Sequence, residues 1–393
     1  MIVLQRMKHV FFYLCIMLLA FAQPAFAANT ETQQPTVKEI STVIGDNAVR
    51  YPQLEGLTDE KTQQAINNAI VEKAKIAQRM VTLTTLKSGS AGLQVQYEAY
   101  VDEGVFSTVI SAFGILENGR SGQEYTTLNY NLSDGRELTF ADFFADPDTA
   151  AEDMETILQN TLGEDLSAYL VNASLTPLPR NNFSFNADGI TFYYPADQFS
   201  LLSGYCGAAQ FTYWEVTSDL ISSADGLPAR LGAFPEPLND AEMKQNIIET
   251  VEKGTLPQIP VTIGDAMTDL VKQYRLVRQP DQYPGGKYYQ LEAPAFRQVL
   301  VLSDALTNGY EQSKAEGLLS FRTNLFGLQT GVASQKRWRE VLGEPDSTVS
   351  FDEAMAYDYG LPVGTADYYT FGNRQLLMYA DENGILYAVR ISD

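Results

Sequence analysis

The sequence predicts an α+β fold, in which an N-terminal domain with an antiparallel sheet and packed helices is followed by a tandem-repeat α+β module. Three observations support this prediction. Strand-like runs are separated by Asn-Gly and Asp-Gly turns, helical segments with one apolar face lie between them, and a block near the C-terminus occurs twice. The predicted divisions are a signal peptide (1–27), the α+β domain (28–225), a linker with a short helix (226–260) and the repeat module (261–393).

The first 27 residues have the pattern of a secretory signal peptide. Arg6 and Lys8 precede an apolar run from Val10 to Phe21, and Ala25-Phe26-Ala27 supplies the cleavage motif. The run is shorter than the ~20 residues that a membrane-spanning helix needs. We therefore expect an exported protein that is periplasmic, extracellular or at the cell surface, with no membrane span after signal cleavage.

Signal cleavage also restricts the available chemistry. His9, the only histidine, and Cys15 are removed with the signal, so that Cys206 is the single remaining thiol and is expected to be buried and structural. A chain without histidine cannot form histidine-activated nucleophiles, histidine-containing zinc sites or Cys-His pairs. We expect no enzymatic activity, no catalytic residues, no cofactor and no metal. Carboxylate-dependent glycan hydrolysis stays open as an alternative, because it needs only two acidic residues.

The charge balance is strongly acidic. The chain has 49 acidic and 27 basic residues, which give a formal net charge of -22 at pH 7. Such an excess repels nucleic acid and favours basic partners. Asp142, Asp146, Asp148 and Asp153 lie close together in sequence, but their spacing does not match a calcium-binding loop. Because acidic residues are common at helix N-termini, this group predicts a helix start instead.

The elements of the N-terminal domain follow in order. Short strands are predicted at 38–44 and 49–51, and apolar residues at spacings of three and four predict a helix over 58–80. Four further strands are predicted at 93–99, 105–116, 124–132 and 137–140. Proline at the first helical position then predicts a helix over 146–162, and the domain ends with a hairpin over 183–194 and a strand over 211–216.

Several of these turns and strand starts resemble a known family. Tyr51-Pro52-Gln53-Leu54, Leu128-Asn129-Tyr130-Asn131-Leu132 and Asp134-Gly135-Arg136-Glu137 resemble, in the same order, the extracytoplasmic domain shared by the anti-sigma factor RsiV and the peptidoglycan deacetylase PdaC. Ala141-Asp142-Phe143-Phe144 and Phe183-Ser184-Phe185 continue the resemblance, which covers about residues 37–225. In that family the domain binds lysozyme in one member and accompanies a catalytic domain in another.

The same comparison indicates candidate partner-binding residues. The family's Gly-Ala-His segment is replaced here by Arg120-Ser121-Gly122-Gln123, so a role that depends on that histidine is not expected. Aromatic residues cluster around the last strands of the domain, where they could stack on a sugar or contact a protein. The predicted partner-binding residues are Tyr193, Tyr194, Tyr205, Gln123 and Glu124.

The C-terminal part contains an internal repeat. Residues 297–304 match residues 374–381, residues 317–322 match residues 384–390, and each pair follows a helix-like segment. The second copy contains Val341-Leu342-Gly343-Glu344-Pro345-Asp346 followed by short predicted strands, and it resembles the small domains of the outer-membrane assembly lipoprotein SmpA and of the β-lactamase-inhibitor protein. Those domains bind other proteins. The preceding residues 226–260 are rich in Pro, Gly and Asp, which is typical of a linker, with a short helix from about Asn239 to Lys253.

These features together predict a non-enzymatic exported envelope protein. Its expected ligand is an extracytoplasmic protein, for which the resemblance implies a basic lysozyme-like wall hydrolase, or cell-wall glycan in peptidoglycan. The alternatives are a carboxylate-dependent glycan hydrolase and a structural envelope-assembly protein.

Overall fold

A computed structural model describes most of the chain after the predicted signal peptide. The described residues are 34–86, 92–102, 104–116, 118–167, 175–199, 206–257, 259–276, 281–283, 286–292, 299–303 and 313–393. Within them, eight α-helices combine with five largely antiparallel sheets, which confirms the predicted α+β class. No helix in the described residues is both long and apolar enough to cross a membrane.

The N-terminal domain begins with a five-stranded sheet in the order β1-β2-β3-β4-β5. Its strands are β1 Thr36–Ile44, β2 Asn47–Glu55, β3 Leu93–Asp102, β4 Val105–Ile115 and β5 Ser121–Asn131. All neighbours are antiparallel except β2 and β3, which pair in parallel. A parallel pair needs a crossover connection, and helices α1 (Glu60–Lys73) and α2 (Ile76–Thr85) supply it. One face of the sheet therefore packs against these two helices.

The prediction of one continuous helix over 58–80 is wrong. Helix α1 ends at Lys73, and Lys75 adopts a left-handed backbone with φ 51° before α2 begins. This break lets Ile66 and Ile70 of α1 and Leu83 of α2 share one core against the sheet. Buried Asn67 anchors α1, because its side chain accepts from the backbone N–H of Leu54 at 2.8 Å and donates to the Leu54 carbonyl at 3.0 Å.

A second, three-stranded sheet completes the N-terminal domain. Its antiparallel strands are β6 Phe183–Phe185, β7 Gly189–Ala196 and β8 Cys206–Thr212, preceded by helix α3 Pro147–Ser167. Phenylalanine rings from this sheet and from residues 140–144 form the core beside α3. The strand predicted at 137–140 is not formed, and Glu137 makes an isolated bridge to Tyr130. The last predicted strand is displaced to β8, and 213–215 form a 3-10 helix.

The C-terminal module is built on an eight-stranded sheet. A short helix, α4 Leu227–Arg230, precedes it and packs on the core of the N-terminal domain. The elements of the module are α5 Asp240–Lys253, α6 Met267–Gln273, β9 Arg275–Leu276, β10 Asp281–Tyr283, β11 Gly286–Tyr289, β12 Leu291–Glu292, β13 Val299–Ser303, β14 Gly317–Ser320, β15 Asn324–Leu325, β16 Leu328–Gln329, α7 Gln335–Leu342, β17 Ser347–Phe351, α8 Glu353–Tyr359, β18 Gly364–Phe371, β19 Arg374–Asp381 and β20 Leu386–Ser392. The sheet order is β10-β11-β13-β14-β20-β19-β18-β17. The remaining short strands pair as β9 with β12 and β15 with β16.

This strand order reflects the internal repeat. The repeated sequences form β13 with β14 in the first copy and β19 with β20 in the second. The two copies join where β14 pairs with β20, and the flanking strands then follow in mirrored order on the two sides. Each copy of the repeat thus forms one half of a single continuous sheet.

The prediction that residues 226–260 form a linker needs correction. Met243, Ile247 and Val251 of α5 are buried in the same core as Trp338, so α5 is an integral helix of the C-terminal module. Leu227 packs instead on the core of the N-terminal domain. The sequence analysis predicted the position of helix α5 correctly but did not predict the core into which its apolar face packs.

Candidate functional site

The five-stranded sheet has one face that its helices do not cover. Along β4, Phe106 and Ile110 pack towards the helices, whereas Ser107, Val109 and Ser111 alternate to the other side. On β3 the cross-strand partners of these three residues are Tyr100, Glu98 and Gln96. On β5 they are Asn129, Thr127 and Tyr125. This second face is therefore rich in amide, hydroxyl and phenol groups.

A buried hydrogen-bond chain fixes the three-stranded sheet onto this polar face. The Ser107 hydroxyl donates to the Asn129 side-chain oxygen at 2.7 Å and accepts from the backbone N–H of Phe185 at 2.9 Å. The amide nitrogen of Asn129 donates to the Phe183 carbonyl at 2.7 Å. Because β6 is held through its backbone at both ends, the angle between the two sheets is defined by buried polar groups.

The three-stranded sheet presents its own polar face towards the five-stranded sheet. Ser184, Thr191 and Gln210 are aligned in register across β6, β7 and β8. Their neighbours Phe192 and Phe211 point the opposite way into the core. Alternation along each strand thus separates an apolar face from a hydroxyl and amide face.

The two polar faces enclose a groove of about 710 Å³, a volume in the range of small-molecule binding sites. Strands β3, β4 and β5 form one wall, strands β6, β7 and β8 form the other, and Pro260 and Tyr274 of the C-terminal module lie at the edge. The lining residues are Gln96, Tyr97, Glu98, Ala99, Tyr100, Ser107, Thr108, Val109, Ser111, Gln123, Tyr125, Ser184, Phe185, Asn186, Thr191, Tyr193, Ala208, Gln210, Pro260 and Tyr274. We call this cavity the intersheet groove.

Two tyrosines connect the walls of the intersheet groove. The rings of Tyr125 and Tyr193 lie with centroids 4.7 Å apart at an interplanar angle of 46°. The Tyr125 hydroxyl accepts from the Gln123 side chain at 2.9 Å, and the Tyr193 hydroxyl is 2.9 Å from the Ser184 hydroxyl. Burial raises the pKa of Tyr193 far above its usual range. Its phenol therefore stays neutral and acts as a hydrogen-bonding group.

The charge of the groove differs from that of the chain as a whole. Glu98 is the only carboxylate among the described lining residues, and these include no lysine or arginine. Gln96 and Gln210 make no side-chain hydrogen bond within the described part of the chain, so their amides are available to a ligand. The site is suited to a neutral ligand that carries many hydroxyl or amide groups.

The predicted partner-binding residues are separated by the fold. Gln123 and Tyr193 line the intersheet groove. Glu124, the next residue on β5, points to the opposite face and pairs with Lys75 at 2.8 Å and Arg79 at 2.9 Å. Tyr194 is fully buried, and its hydroxyl donates to the Leu175 carbonyl at 3.0 Å, so the prediction of a surface contact is wrong for this residue.

Tyr205, the fifth predicted residue, lies outside the described residues. Sequence reasoning missed most of the groove, including Gln96, Tyr125, Ser184 and Gln210. The signal that could have identified them is the alternation of polar residues along β3 and β5. That pattern also describes an ordinary solvent-facing strand, so the second sheet is needed to recognise a site.

Cys206 has a structural role at the junction of the two sheets. Its thiol is buried and donates to the Gln123 carbonyl at 3.1 Å. Burial raises the pKa of this thiol to about 12. A protonated thiol is a poor nucleophile, which agrees with the sequence-based expectation of a buried structural cysteine.

The acidic group near α3 stabilises local structure. Asp142 accepts from Arg136 at 2.7 Å and from the backbone N–H of Thr139 at 2.7 Å. Asp146 accepts from the backbone N–H groups of Asp148 and Thr149 at the start of α3. Within the described residues, no group of three or more His, Cys, Asp or Glu side chains is arranged to hold a metal ion.

Comparison with known proteins gives distant structural neighbours. The sequence matches no protein-family model and no curated protein. A DUF3298 family member from Bacteroides fragilis covers 49% of this chain and 94% of its own, with 16% identity and a TM-score of 0.33. A DUF3298 family protein from Pseudomonas aeruginosa covers 49% and 96%, with 14% identity and a TM-score of 0.33. A DUF4309 family protein from Bacillus subtilis covers 39% and 97%, with 13% identity and a TM-score of 0.26. These structural neighbours are proteins of families of unknown function.

Proposed function

We propose that this protein is a non-enzymatic, exported envelope protein whose intersheet groove binds uncharged segments of cell-wall glycan. The observation that carries the proposal is the chemistry of the groove, where tyrosine rings and side-chain amides face hydroxyl groups across two sheets. Sugar rings stack on aromatic faces, and their hydroxyl and acetamido groups pair with amides and hydroxyls. The signal-peptide pattern supports an envelope location.

The groove supports glycan binding better than binding of a basic wall hydrolase. A basic protein is recognised through a complementary patch of carboxylates. Glu98 is the only carboxylate among the described residues of the groove, although the chain as a whole has a net charge of -22. A lysozyme-like partner is therefore the second candidate, and it would bind at an acidic surface outside the groove.

The same carboxylate count favours binding over hydrolysis. Glycosidases generally place two carboxyl groups on either side of the scissile bond, about 5 to 10 Å apart. The described lining residues supply one. A glycan in this groove would therefore be held without the acid and base pair that cleaves it.

Isothermal titration calorimetry of the mature protein with soluble β-1,4-linked N-acetylglucosamine oligomers tests the proposal. We expect saturable binding that changes little between 0.05 and 0.5 M salt, because the ligand is neutral. Replacing Tyr125 by Ala should weaken binding about tenfold through loss of ring contact, and Gln210→Ala about fivefold through loss of one hydrogen bond. Gln245→Ala, on the exposed side of α5, is the matched glutamine control and should have no effect.

The other outcomes separate the alternatives. Binding of a lysozyme that weakens with salt, without binding of glycan oligomers, would replace the proposal by a protein-partner function. Release of shortened oligomers would indicate the carboxylate-dependent hydrolase. Failure to bind either ligand, together with copurification with envelope machinery, would favour an assembly role.

A further inference from the structure

An arginine of the C-terminal module makes a buried ion pair with the N-terminal domain. Arg322 follows β14, and both its Nε and one terminal nitrogen donate to the two carboxylate oxygens of Glu215. The same terminal nitrogen donates to the backbone carbonyl of Gln210 at 3.1 Å. A planar guanidinium that makes three such bonds fixes both distance and orientation between the elements it joins.

Both ends of this contact are held rigidly by their own modules. The Glu215 carboxylate also accepts from the backbone N–H and hydroxyl of Thr212, each at 2.9 Å. On the other side, the Ser320 hydroxyl donates to the Arg322 carbonyl at 2.8 Å and accepts from its backbone N–H at 3.2 Å. The charged side chains of Arg322 and Glu215 are 8% and 7% exposed. A pair this buried is strongly destabilised when one partner is removed.

The position of this ion pair ties it to the intersheet groove. Gln210 lies on β8 with its backbone carbonyl bonded to Arg322, while the residue itself lines the groove. Pro260 and Tyr274, which belong to the C-terminal module, line the edge of the same groove. The ion pair therefore connects β8, in one wall of the groove, to the module that supplies the edge of the groove.

We infer that the glycan site is shared by two modules, with Tyr274 as a contact residue and Arg322 and Glu215 as positioning residues that hold the edge of the groove in place. This inference rests on the proposed function. It adds that the C-terminal module is part of the binding site. The ligand class is an oligosaccharide long enough to reach from the Tyr125 and Tyr193 rings to Tyr274.

Two variants of the full mature chain test the inference by calorimetry with β-1,4-linked N-acetylglucosamine oligomers. Tyr274→Ala removes the contact and should weaken binding of long oligomers about fivefold, while the shortest oligomer that binds is unaffected. Arg322→Met removes the ion pair and should weaken binding of long oligomers at least tenfold. Arg337→Met is the matched control, because Arg337 makes a more exposed pair with Asp240 at 2.7 Å within the same module.

Hydrogen exchange provides a second measurement for Arg322→Met. We expect faster exchange of β8 amides and of the segment around Tyr274, with cooperative unfolding retained. If this variant fails to fold, Tyr274→Ala still decides the result through its dependence on oligomer length.

The outcomes distinguish this inference from the proposed function. Equal affinity of the unmodified, Tyr274→Ala and Arg322→Met proteins would overturn the shared site and leave glycan binding by the N-terminal domain standing. Absence of glycan binding by the unmodified protein would overturn both. An equal loss of affinity in Arg337→Met and Arg322→Met would assign the effect to charge and overturn the positioning role.

Discussion

The three-stranded sheet of the N-terminal domain and the eight-stranded sheet of the C-terminal module use their faces differently. In the three-stranded sheet of the N-terminal domain, Phe192 packs into a core while its neighbour Thr191 lines the intersheet groove. In the eight-stranded sheet, the neighbours Leu376 and Leu377 are both buried, each in a separate core on its own side of the sheet. A sheet with one apolar face can use the other for a ligand. A sheet with two buried faces contributes stability and position.

The largest expected effects come from alanine substitutions at these neighbouring positions. Phe192→Ala should lower the free energy of unfolding by about 3–5 kcal/mol, whereas Thr191→Ala should change it by less than about 1 kcal/mol. Leu376→Ala and Leu377→Ala should each cost about 2–5 kcal/mol, because both leave cavities. Urea denaturation, analysed for the unfolding transition of each module, measures the change in unfolding free energy for all four variants. If Thr191→Ala lowered the unfolding free energy as much as Phe192→Ala, this would contradict the description of a sheet with only one face packed in a core.

A second comparison concerns carboxylates that pair with arginine in the two regions. Asp367 is fully buried and accepts from Arg339, Thr348 and Trp338 at 2.7, 2.7 and 3.0 Å. Burial opposes its ionisation, but these hydrogen bonds outweigh burial and hold its pKa below the usual value. Asp142, paired with Arg136, also has a lowered pKa but is more exposed.

We expect Asp367→Asn to cost about 3 kcal/mol at pH 7 and Asp142→Asn about 1 kcal/mol. The sign follows from the lowered pKa. An aspartate in the unfolded chain has a pKa of about 4, so the ionised Asp367 stabilises the fold fully above that pH. This contribution is lost as the pH falls through the lower pKa of Asp367 in the folded protein. Urea denaturation of unmodified protein and Asp367→Asn at pH 7, 4 and 3 should therefore show converging stabilities. A constant difference across that range would show that Asp367 is not the titrating group.

The smallest effect concerns reactivity at the junction of the two N-terminal sheets. With its pKa raised to about 12, the buried Cys206 thiol should react with a thiol reagent at pH 8 far more slowly in the native protein than in urea. Both measurements use protein produced without residues 1–27, so that Cys206 is its single thiol, and the sample unfolded in urea is the control. Equal rates in both conditions would mean that the two sheets separate readily at this point.

Sequence reasoning predicted the class and many elements because these depend on local patterns. Runs of β-branched and aromatic residues between turn sequences identified β3, β4 and β5, and the internal repeat led to the two halves of the eight-stranded sheet. Sequence reasoning failed where packing against segments distant in sequence determines the local structure. The helical pattern over 58–80 continues through Lys75, yet the backbone turns there so that two helices can cover one sheet.

Of the predicted partner-binding residues, Gln123 and Tyr193 line the intersheet groove, but the sequence could not separate them from Glu124 and Tyr194, their immediate neighbours. Adjacent residues on a strand point to opposite faces, so the choice depends on which face another element covers. Tyr194 faces the core and Glu124 faces helix α2. Neither outcome can be read from residue type.

The amino-acid sequence by itself determined the acidic charge, the position of the one histidine within the signal-peptide-like segment, and the β-branched and aromatic runs that form the strands. Only the tertiary structure decided that two polar faces meet, that α5 belongs to the C-terminal core, and that Arg322 reaches Glu215 from 107 residues away. The reason is physical. Composition and local periodicity are properties of short segments, whereas a groove exists only when segments distant in sequence are packed at a defined angle.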